Sequence, residues 1–458
     1  MRKEVAKIWS FLLGEKEPNG STSYGSARFS SSLEERILLA QNTGVLLDGR
    51  RKRLSKEDSF KHALILGVTG SGKSSTIVLP NLLAPVRKTS YVVIDLSKEL
   101  YSKSSGYLRK KGFDVKVVDC SLTNRIAESE TYNPIAFINS PFDSHIRRLS
   151  RIIMDTAKLN VGDPFWSLNA RQIIEIIVKF LKTQGEEKQT LYEVYRIANA
   201  ILSDKESVQQ LFMQHLPDEI YQEFLAIMSY SDKLLSSVIS TVRAALQYVS
   251  DHSVQDLTAS NSLGDIAKDL RARPSVLYLC VPEDEVSDAS ILTMLLSDLF
   301  HGLNEMPTKS DMNISILLDE FSNLIRIPDA STYFTVFRKR RVSLIAFIQS
   351  LEQLYANYGK SGQVIFDNTY TKVVLPAVSV KDAEVFSKAC GQSTMLTEEE
   401  ERYISRPLMY SDEVSRIEPN TALVLCGNNY PMKLTTRPWF KSFFLRWKVR
   451  KYEIKLKQ

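Results

Sequence analysis

Apolar residues along this 458-residue chain follow two patterns: short continuous runs, and longer stretches in which they recur every three or four positions. The continuous runs are rich in β-branched residues, which predicts strands buried on both faces, as in a parallel sheet covered by helices. Such runs occupy residues 63–66, 91–94, 115–118, 276–281, 314–318, 343–348, 371–375 and 422–425. Helical patterns separate several of them, so we expect right-handed β-α-β units.

The segment 145–272 interrupts this alternation. Its apolar residues have helical spacing and form no convincing strand, and the clearest helical patterns cover 169–182, 191–202, 208–215 and 234–248. Because a strand pattern resumes at Val276, we expect an all-α domain inserted into an α/β domain.

The composition is that of an ordinary globular protein, with 43% hydrophobic and 24% charged residues. A net charge of +6 fits a phosphate-bearing partner without requiring one. The four cysteines form no C-x-x-C pair and the five histidines no H-x-x-x-H pair, so we expect no Cys/His metal site and a reducing, cytoplasmic compartment. No run approaches the ~20 apolar residues of a transmembrane helix, which predicts a soluble chain.

A phosphate-binding motif follows the first predicted strand. Residues 67–74 read Gly-Val-Thr-Gly-Ser-Gly-Lys-Ser, which matches G-x-x-x-x-G-K-[ST], and a helical pattern over 75–83 follows at once. In such a loop, backbone N–H groups and the helix N-terminus bind the phosphates of ATP or GTP. The predicted nucleotide-binding residues are Gly67, Thr69, Gly70, Ser71, Gly72, Lys73, Ser74 and Ser75. The sequence therefore predicts a P-loop NTPase, with ATP and Mg²⁺ as cofactors.

Two acidic residues end the predicted strand 314–318. Asp319 is expected beside the phosphate loop, where it and the Ser74 hydroxyl would hold Mg²⁺. Glu320 is the candidate base for the attacking water, and Lys73 should reach the β- and γ-phosphates. Gln349 ends the next apolar run and is a candidate sensor of the γ-phosphate or of water, although an ordinary strand-terminal glutamine explains it equally well.

A basic cluster, Arg-Lys-Arg-Arg, occupies residues 338–341. A solvated helix end is the usual explanation for such a run. Two functional interpretations compete with it: an arginine finger, Arg338 or Arg340, that completes a neighbouring subunit's ATP site, or a contact to nucleic-acid phosphate.

The C-terminal segment 437–458 contains eight Lys or Arg residues and one acidic residue, interleaved with aromatic residues. This composition suits an anionic membrane surface or single-stranded nucleic acid, and the role of 439–448 stays open. Alternation of Tyr452, Ile454 and Leu456 with charged residues predicts a packed terminal strand over 449–457.

Together these motifs resemble one family, the type IV secretion coupling proteins of the TraG/TraD type, over residues 24–430. The shared segments are Gly25-Ser-Ala-Arg28, Gly44-Val-Leu-Leu47, 67–83, 92–100, Tyr132-Asn-Pro134, Pro164-Phe-Trp166, 317–324, Gln349-Ser-Leu-Glu-Gln-Leu354 and 338–342. The segment 92–100 lacks the glycine that is usual after its lysine. The resemblance supports a finger within 338–341 without choosing the arginine.

The resemblance implies a RecA-like P-loop core with an inserted all-α domain, assembling as a homo-hexamer at the inner membrane. Such proteins recruit a DNA–relaxase complex, with the DNA single-stranded, or protein effectors to a type IV secretion channel. Most members begin with two transmembrane helices, whereas this sequence has none. We therefore expect peripheral association with the cytoplasmic face of the inner membrane through a partner.

Two alternatives to DNA transfer remain open: a coupling ATPase that receives only effector proteins, and a nucleotide-gated adaptor. A chromosome-pumping translocase fits the helical insertion poorly. The expected organisation is a flexible lead-in over 1–23, the core over 24–145 and 273–436, the all-α insertion over 146–272, and a basic aromatic segment over 437–458.

Overall fold

The computed structural model describes residues 25–39, 41–157, 159, 164–282, 290–306, 312–321, 326–397 and 402–456. The lead-in expected over 1–23 lies outside these residues. Eleven strands are present in the described chain: β1 Ala63–Leu66, β2 Thr89–Asp95, β3 Asp114–Asp119, β4 Ser275–Cys280, β5 Asn313–Leu318, β6 Val342–Ile348, β7 Thr371–Val374, β8 Gln392–Thr397, β9 Arg402–Pro407, β10 Thr421–Cys426 and β11 Met432–Thr435.

Nine strands form one sheet in the order β11-β10-β7-β1-β6-β5-β2-β4-β3. The seven strands from β7 to β3 are parallel, and β10 and β11 add an antiparallel edge. Each of the eight strands predicted from continuous apolar runs is present. The sequence missed β8, β9 and β11. Strands β8 and β9 form a separate two-stranded sheet outside the main one, and β11 alternates buried and exposed residues at an edge.

The helices cover both faces of the sheet. In the described chain they span Ser32–Leu39, Lys56–Ser59, Leu79–Leu83, Glu99–Lys110, His145–Thr156, Pro164–Leu181, Leu191–Ser203, Lys205–His215, Asp218–Met228, Asp232–Ala245, His252–Thr258, Ile266–Ala272, Ser290–Glu305, Ala330–Val336, Leu351–Tyr358, Lys360–Asn368, Val380–Cys390, Ser411–Ser415 and Phe443–Tyr452. A π-helix over Lys73–Val78 precedes Leu79–Leu83. Among the described residues, no helix is both long enough and apolar enough to cross a membrane.

Two apolar cores flank the sheet, as the strand pattern predicted. Along β1, Leu64 and Leu66 belong to one core, whereas Ala63 and Ile65 belong to the other. The described part of 145–272 is helical without a strand, and its apolar side chains belong to the same core as Leu64. The helical stretch therefore packs on one face of the sheet, and its division from the core as a separate domain stays a prediction.

The terminal strand predicted over 449–457 is wrong, because this part of the chain begins as the helix Phe443–Tyr452. Leu445 and Val449, four residues apart, are its buried residues and join the core that contains Ile65. Only the following residues are extended, and there Ile454 N donates to Ser102 O at 2.9 Å. A Cβ on Gly106 would overlap the carbonyl oxygen of Tyr452, so glycine permits this close approach.

Candidate functional site

The loop that follows β1 lies at the carboxyl edge of the sheet, between β6 and β7. Its first residue is tied to the neighbouring strand, because Gly67 N donates to Ile348 O at 3.1 Å. Gly70 and Gly72 have φ angles of 81° and 96°, which side chains other than glycine rarely adopt. A Cβ on Gly67 would overlap Ser71 Oγ, so the loop can curl tightly only with glycine there. The helical backbone begins at Lys73, with its N-terminus facing the loop.

Lys73 is 6% exposed and lies inside this curl. Its Nζ donates to Gly67 O at 2.9 Å and pairs with Glu320 Oε1 at 3.0 Å. The ammonium group is therefore held where the loop surrounds it, in the position from which a phosphate can be reached.

Ser74 and Asp319, the two predicted magnesium ligands, are in contact. Ser74 Oγ donates to Asp319 Oδ2 at 3.1 Å, and Asp319 Oδ1 is buried with no hydrogen-bond partner in the described part of the chain. Burial and then the neighbouring Glu320 raise the pKa of Asp319 to about 6, against the opposing effects of Lys73 and Ser74. An unpartnered buried carboxylate oxygen beside a hydroxyl is the arrangement that a hard divalent cation fits.

Glu320 connects the loop to the end of β6. Its backbone has φ 54°, and its carboxylate binds Lys73 on one oxygen and accepts from Gln349 Nε2 on the other, at 2.9 Å. Gln349, the candidate sensor of the γ-phosphate or of water, donates this hydrogen bond from the end of β6. Gln349 therefore orients the carboxylate of the candidate base.

The other predicted loop residues surround this group. Ser71 Oγ is buried and, within the described residues, has no hydrogen-bond partner, whereas Ser75 Oγ donates to Gly72 O at 3.3 Å. Thr69 and Gly70 are exposed at the outer end of the loop. The structure thus brings together every predicted nucleotide-binding residue, both predicted magnesium ligands, Glu320 and Gln349.

The basic cluster 338–341 lies elsewhere, at the amino end of β6. Seven strand residues separate it from the phosphate loop, a distance of roughly 20 Å. Arg340 Nη1 donates to Met306 O at 2.8 Å, and its own carbonyl accepts from Arg271. Arg338 is exposed. Within one chain, neither candidate finger reaches the site.

A further acidic residue, Asp95, lies at the carboxyl edge of the sheet, where the phosphate loop is. It belongs to the motif over 92–100, but no role was assigned to it from the sequence. Asp95 ends β2, and burial raises the pKa of its carboxyl to about 7. Its Oδ2 accepts from Tyr101 N at 2.7 Å, so it caps the helix Glu99–Lys110. Lys98 pairs with Asp119 at 2.8 Å beside it.

Solved structures with the same fold include nucleotide complexes. The plasmid coupling protein TrwB bound to ADP and Mg²⁺ superposes with a TM-score of 0.71 at 17% identity, over 90% of this chain and 94% of that one. TrwB with a non-hydrolysable ATP analogue gives a TM-score of 0.70 at 16% identity, over 92% and 96%. VirB4 of Thermoanaerobacter pseudethanolicus gives 0.53 at 16% identity, over 89% and 99%. At these identities the likeness shows the fold, a RecA-like P-loop core.

The comparison with curated proteins gives no sequence match. A family model described as type IV secretory system conjugative DNA transfer matches residues 31–458. This match covers nearly all of the chain, including the phosphate loop and the acidic residues Asp95 and Asp319 at the ends of β2 and β5. The protein therefore belongs to the type IV secretion family of conjugative DNA transfer proteins.

Proposed function

We propose that this protein is an ATP-hydrolysing coupling protein that recruits a DNA–relaxase complex and drives its transfer through a type IV secretion channel. The observation that supports hydrolysis most directly is the contact chain Lys73–Glu320–Gln349 beside the Ser74–Asp319 pair. A protein that only binds nucleotide needs the loop and the lysine but has no need of an oriented carboxylate.

Different residues at the site have different proposed roles. The loop's N–H groups and Lys73 bind the phosphates of ATP, and Ser74 and Asp319 hold Mg²⁺, which neutralises charge on the β- and γ-phosphates. A γ-phosphate that pairs with Lys73 releases the oxygen of Glu320 that the ammonium group had held. Gln349 keeps the other oxygen in place, so the freed oxygen can accept a proton from the attacking water.

We place the arginine finger at Arg338 and the site at the junction of two subunits in a homo-hexamer. The roughly 20 Å between the cluster and the chain's own loop excludes a role within the same subunit. Arg340 is the weaker candidate, because its guanidinium is occupied by Met306 O inside its own chain. Arg338 is exposed and free to extend to a neighbour's phosphates.

Membrane association in this proposal uses an aromatic surface, defined here as Phe440, Phe443, Phe444 and Trp447. These side chains are 47%, 69%, 75% and 49% exposed, and Lys441, Arg446 and Arg450 are exposed among them. Aromatic rings beside cations suit an anionic lipid surface, and a secretion-channel partner at the cytoplasmic face of the inner membrane would add to this contact.

Stacking of nucleic-acid bases on this surface is less well supported. Lys451 Nζ lies 5.0 Å from the ring centre of Trp447, and Lys103 Nζ lies 4.9 Å from that of Trp439. A lysine thus already covers one face of each tryptophan. Phe443 and Phe444 are nearly perpendicular to each other, at 80°, so they offer no parallel platform to successive bases.

The deciding experiment is ATP turnover with single-stranded, duplex and branched DNA, at several protein concentrations and stated salt. We expect turnover that DNA stimulates. ATP turnover without stimulation by any DNA would contradict DNA transfer and support a receptor for effector proteins. ATP binding without turnover would contradict the motor and support a nucleotide-gated adaptor.

A further inference from the structure

We propose that His145, His301 and Glu305 form a transition-metal site, with Zn²⁺ as its natural occupant, between the helices His145–Thr156 and Ser290–Glu305. No sequence motif indicates this site, because the two histidines are 156 positions apart and neither belongs to a paired motif. The fold brings their rings together edge to face, with centroids 5.1 Å apart.

The third ligand comes from the helix that carries His301. Glu305 lies one turn further on, and its Oε1 is 2.9 Å from His301 Nε2. One nitrogen of each histidine and one carboxylate oxygen all lie within 4.8 Å of one another. Ligands bound at ~2.0–2.2 Å around one zinc ion lie closer together than that, so a small side-chain rotation must close the site. Glu305 is 61% exposed, which leaves its carboxylate room for that movement.

Both imidazoles have a buried nitrogen that lacks a hydrogen-bond partner in the part of the chain that the structure describes. These atoms are His145 Nδ1 and His301 Nε2. The Glu305 carboxylate lies at ion-pair distance from the second of them, 2.9 Å from His301 Nε2. Buried polar atoms are nearly always satisfied, and a metal ion would satisfy His301 Nε2 directly.

The surroundings are those of a supported metal site. Asp143 Oδ1 lies 3.6 Å from His145 Nδ1, and Asp143 is itself fixed by the backbone N–H groups of Asn139 and His145. If His145 binds the ion through Nε2, this carboxylate on the Nδ1 side can orient the ring and increase its basicity. Arg148, a cation that acts on His301, is paired with Asp298 at 2.6 Å, which compensates its charge in part.

The donor set identifies the class of metal. Two imidazoles and one carboxylate suit Zn²⁺ and Co²⁺, whereas Mg²⁺ prefers oxygen ligands alone. Three protein ligands leave a fourth position for water. The two helices pack against each other, and among the described residues Ser290–Glu305 is the last helix before β5, whose end carries Asp319. A bound ion would therefore fasten the first helix of the stretch 145–272 to the helix that leads into the nucleotide site.

The test is Co²⁺ titration of the full chain, with Mg²⁺ in excess and no nucleotide, followed by visible absorption spectroscopy. We expect one Co²⁺ per chain with the intense bands of tetrahedral coordination, and displacement of the bands by Zn²⁺. His301→Ala and Glu305→Gln should each weaken binding by about 100-fold or more, and Asp143→Asn by about 10- to 100-fold. Glu305 is exposed, so its substitution leaves folding intact.

His252→Ala is the matched control, because His252 is exposed and also begins a helix. It should bind Co²⁺ like the parent protein. Absence of tetrahedral bands in the parent protein would overturn the proposal. Bands that persist in both His301→Ala and Glu305→Gln would overturn it as well, and bands with thiolate charge-transfer character would assign the ion to cysteine instead.

Discussion

Glu320 is the proposed base of the site, and its two oxygens contact Lys73 and Gln349 separately. For Glu320→Gln we expect ATP to bind nearly as in the parent protein but to turn over ~10²-fold or more slowly, the usual loss for a positioned base. Lys73→Ala should instead weaken nucleotide binding and abolish hydrolysis. Phosphate release and equilibrium ATP binding separate the two effects.

Glu418→Gln is the control for this substitution, because Glu418 is exposed and far along the chain from the loop. It should hydrolyse ATP at the parent rate. Parent-like turnover in Glu320→Gln would show that another group activates the water.

Asp319 gives a prediction about pH. Its pKa is about 6 in the folded chain and has an ordinary value of 3.8, so the folded state keeps a proton that the unfolded state releases. The stability that this proton contributes is complete below 3.8 and is lost as the pH rises through 6. Asp319→Asn carries no charge at any pH. Its melting temperature relative to the parent should therefore rise between pH 4 and pH 7.

Thermal unfolding without nucleotide or Mg²⁺ measures this difference directly. Asp256→Asn serves as the control, because Asp256 is exposed and its variant should show no such trend. A melting-temperature difference that is constant across this pH range would show that Asp319 is ionised throughout it.

At the scale of single elements, we expect substitutions in the aromatic surface to weaken membrane binding without changing ATP hydrolysis. Replacing Phe443 and Phe444 together by serine should weaken co-sedimentation with phosphatidylglycerol vesicles by about 10-fold or more, because two exposed rings no longer enter the lipid. ATP turnover in solution should stay unchanged. Phe142→Ser is the control, since Phe142 is 65% exposed on another part of the molecule.

Equal sedimentation of the double variant and the parent would remove this surface from the membrane contact. A lower oligomeric state of the double variant, with vesicle binding intact, would identify the surface as a contact between subunits.

The elements that sequence could predict are those with a dominant local pattern. Strands β1, β2, β4 and β6 are buried along their whole length, and each contains an apolar run that stands out from its surroundings. The helix Phe443–Tyr452 was mistaken for a strand because the alternation at Tyr452, Ile454 and Leu456 is genuine but belongs to the extended residues after the helix. Spacing of Leu445 and Val449 four residues apart was the better signal.

The same limit applies to the candidate site, where only residues in a local motif or at a strand end could be predicted from the sequence. Lys73, Ser74 and Asp319 follow from motif and strand position, because the carboxyl ends of parallel strands share one edge. The contact of Gln349 with Glu320 was not predictable, because it depends on the left-handed backbone of Glu320. The meeting of His145 with His301 depends on how two distant helices pack, which no local pattern records.

At the scale of the whole molecule, the positions of Arg338 and Lys73 at opposite edges of the sheet predict cooperation between subunits. Turnover per chain should rise with protein concentration as subunits associate. Excess Lys73→Ala chains, which still carry Arg338, should partly restore turnover to Arg338→Ala chains in a mixture. Phosphate release across mixing ratios is the measurement.

In the same mixing experiment, we expect Arg340→Ala to behave differently from Arg338→Ala. Because its side chain holds Met306 O, Arg340→Ala should lower the melting temperature, and added Lys73→Ala chains should not restore that loss. Turnover that is independent of concentration, with no restoration in any mixture, would leave 338–341 as a solvated helix end.

Strand β6 has a consequence for how such a ring would coordinate its steps. The basic cluster directly precedes this strand and Gln349 directly follows it, and the seven residues between them are all buried. The first part of the strand, 342–346, pairs with β5, and its last part, 345–348, pairs with β1. A strand held in this way can shift only together with the strands that it pairs with. A shift of Gln349 as one ATP is consumed would therefore be transmitted along β6 to Arg338 at the adjacent site. Successive subunits would then hydrolyse ATP in sequence without a separate coupling element.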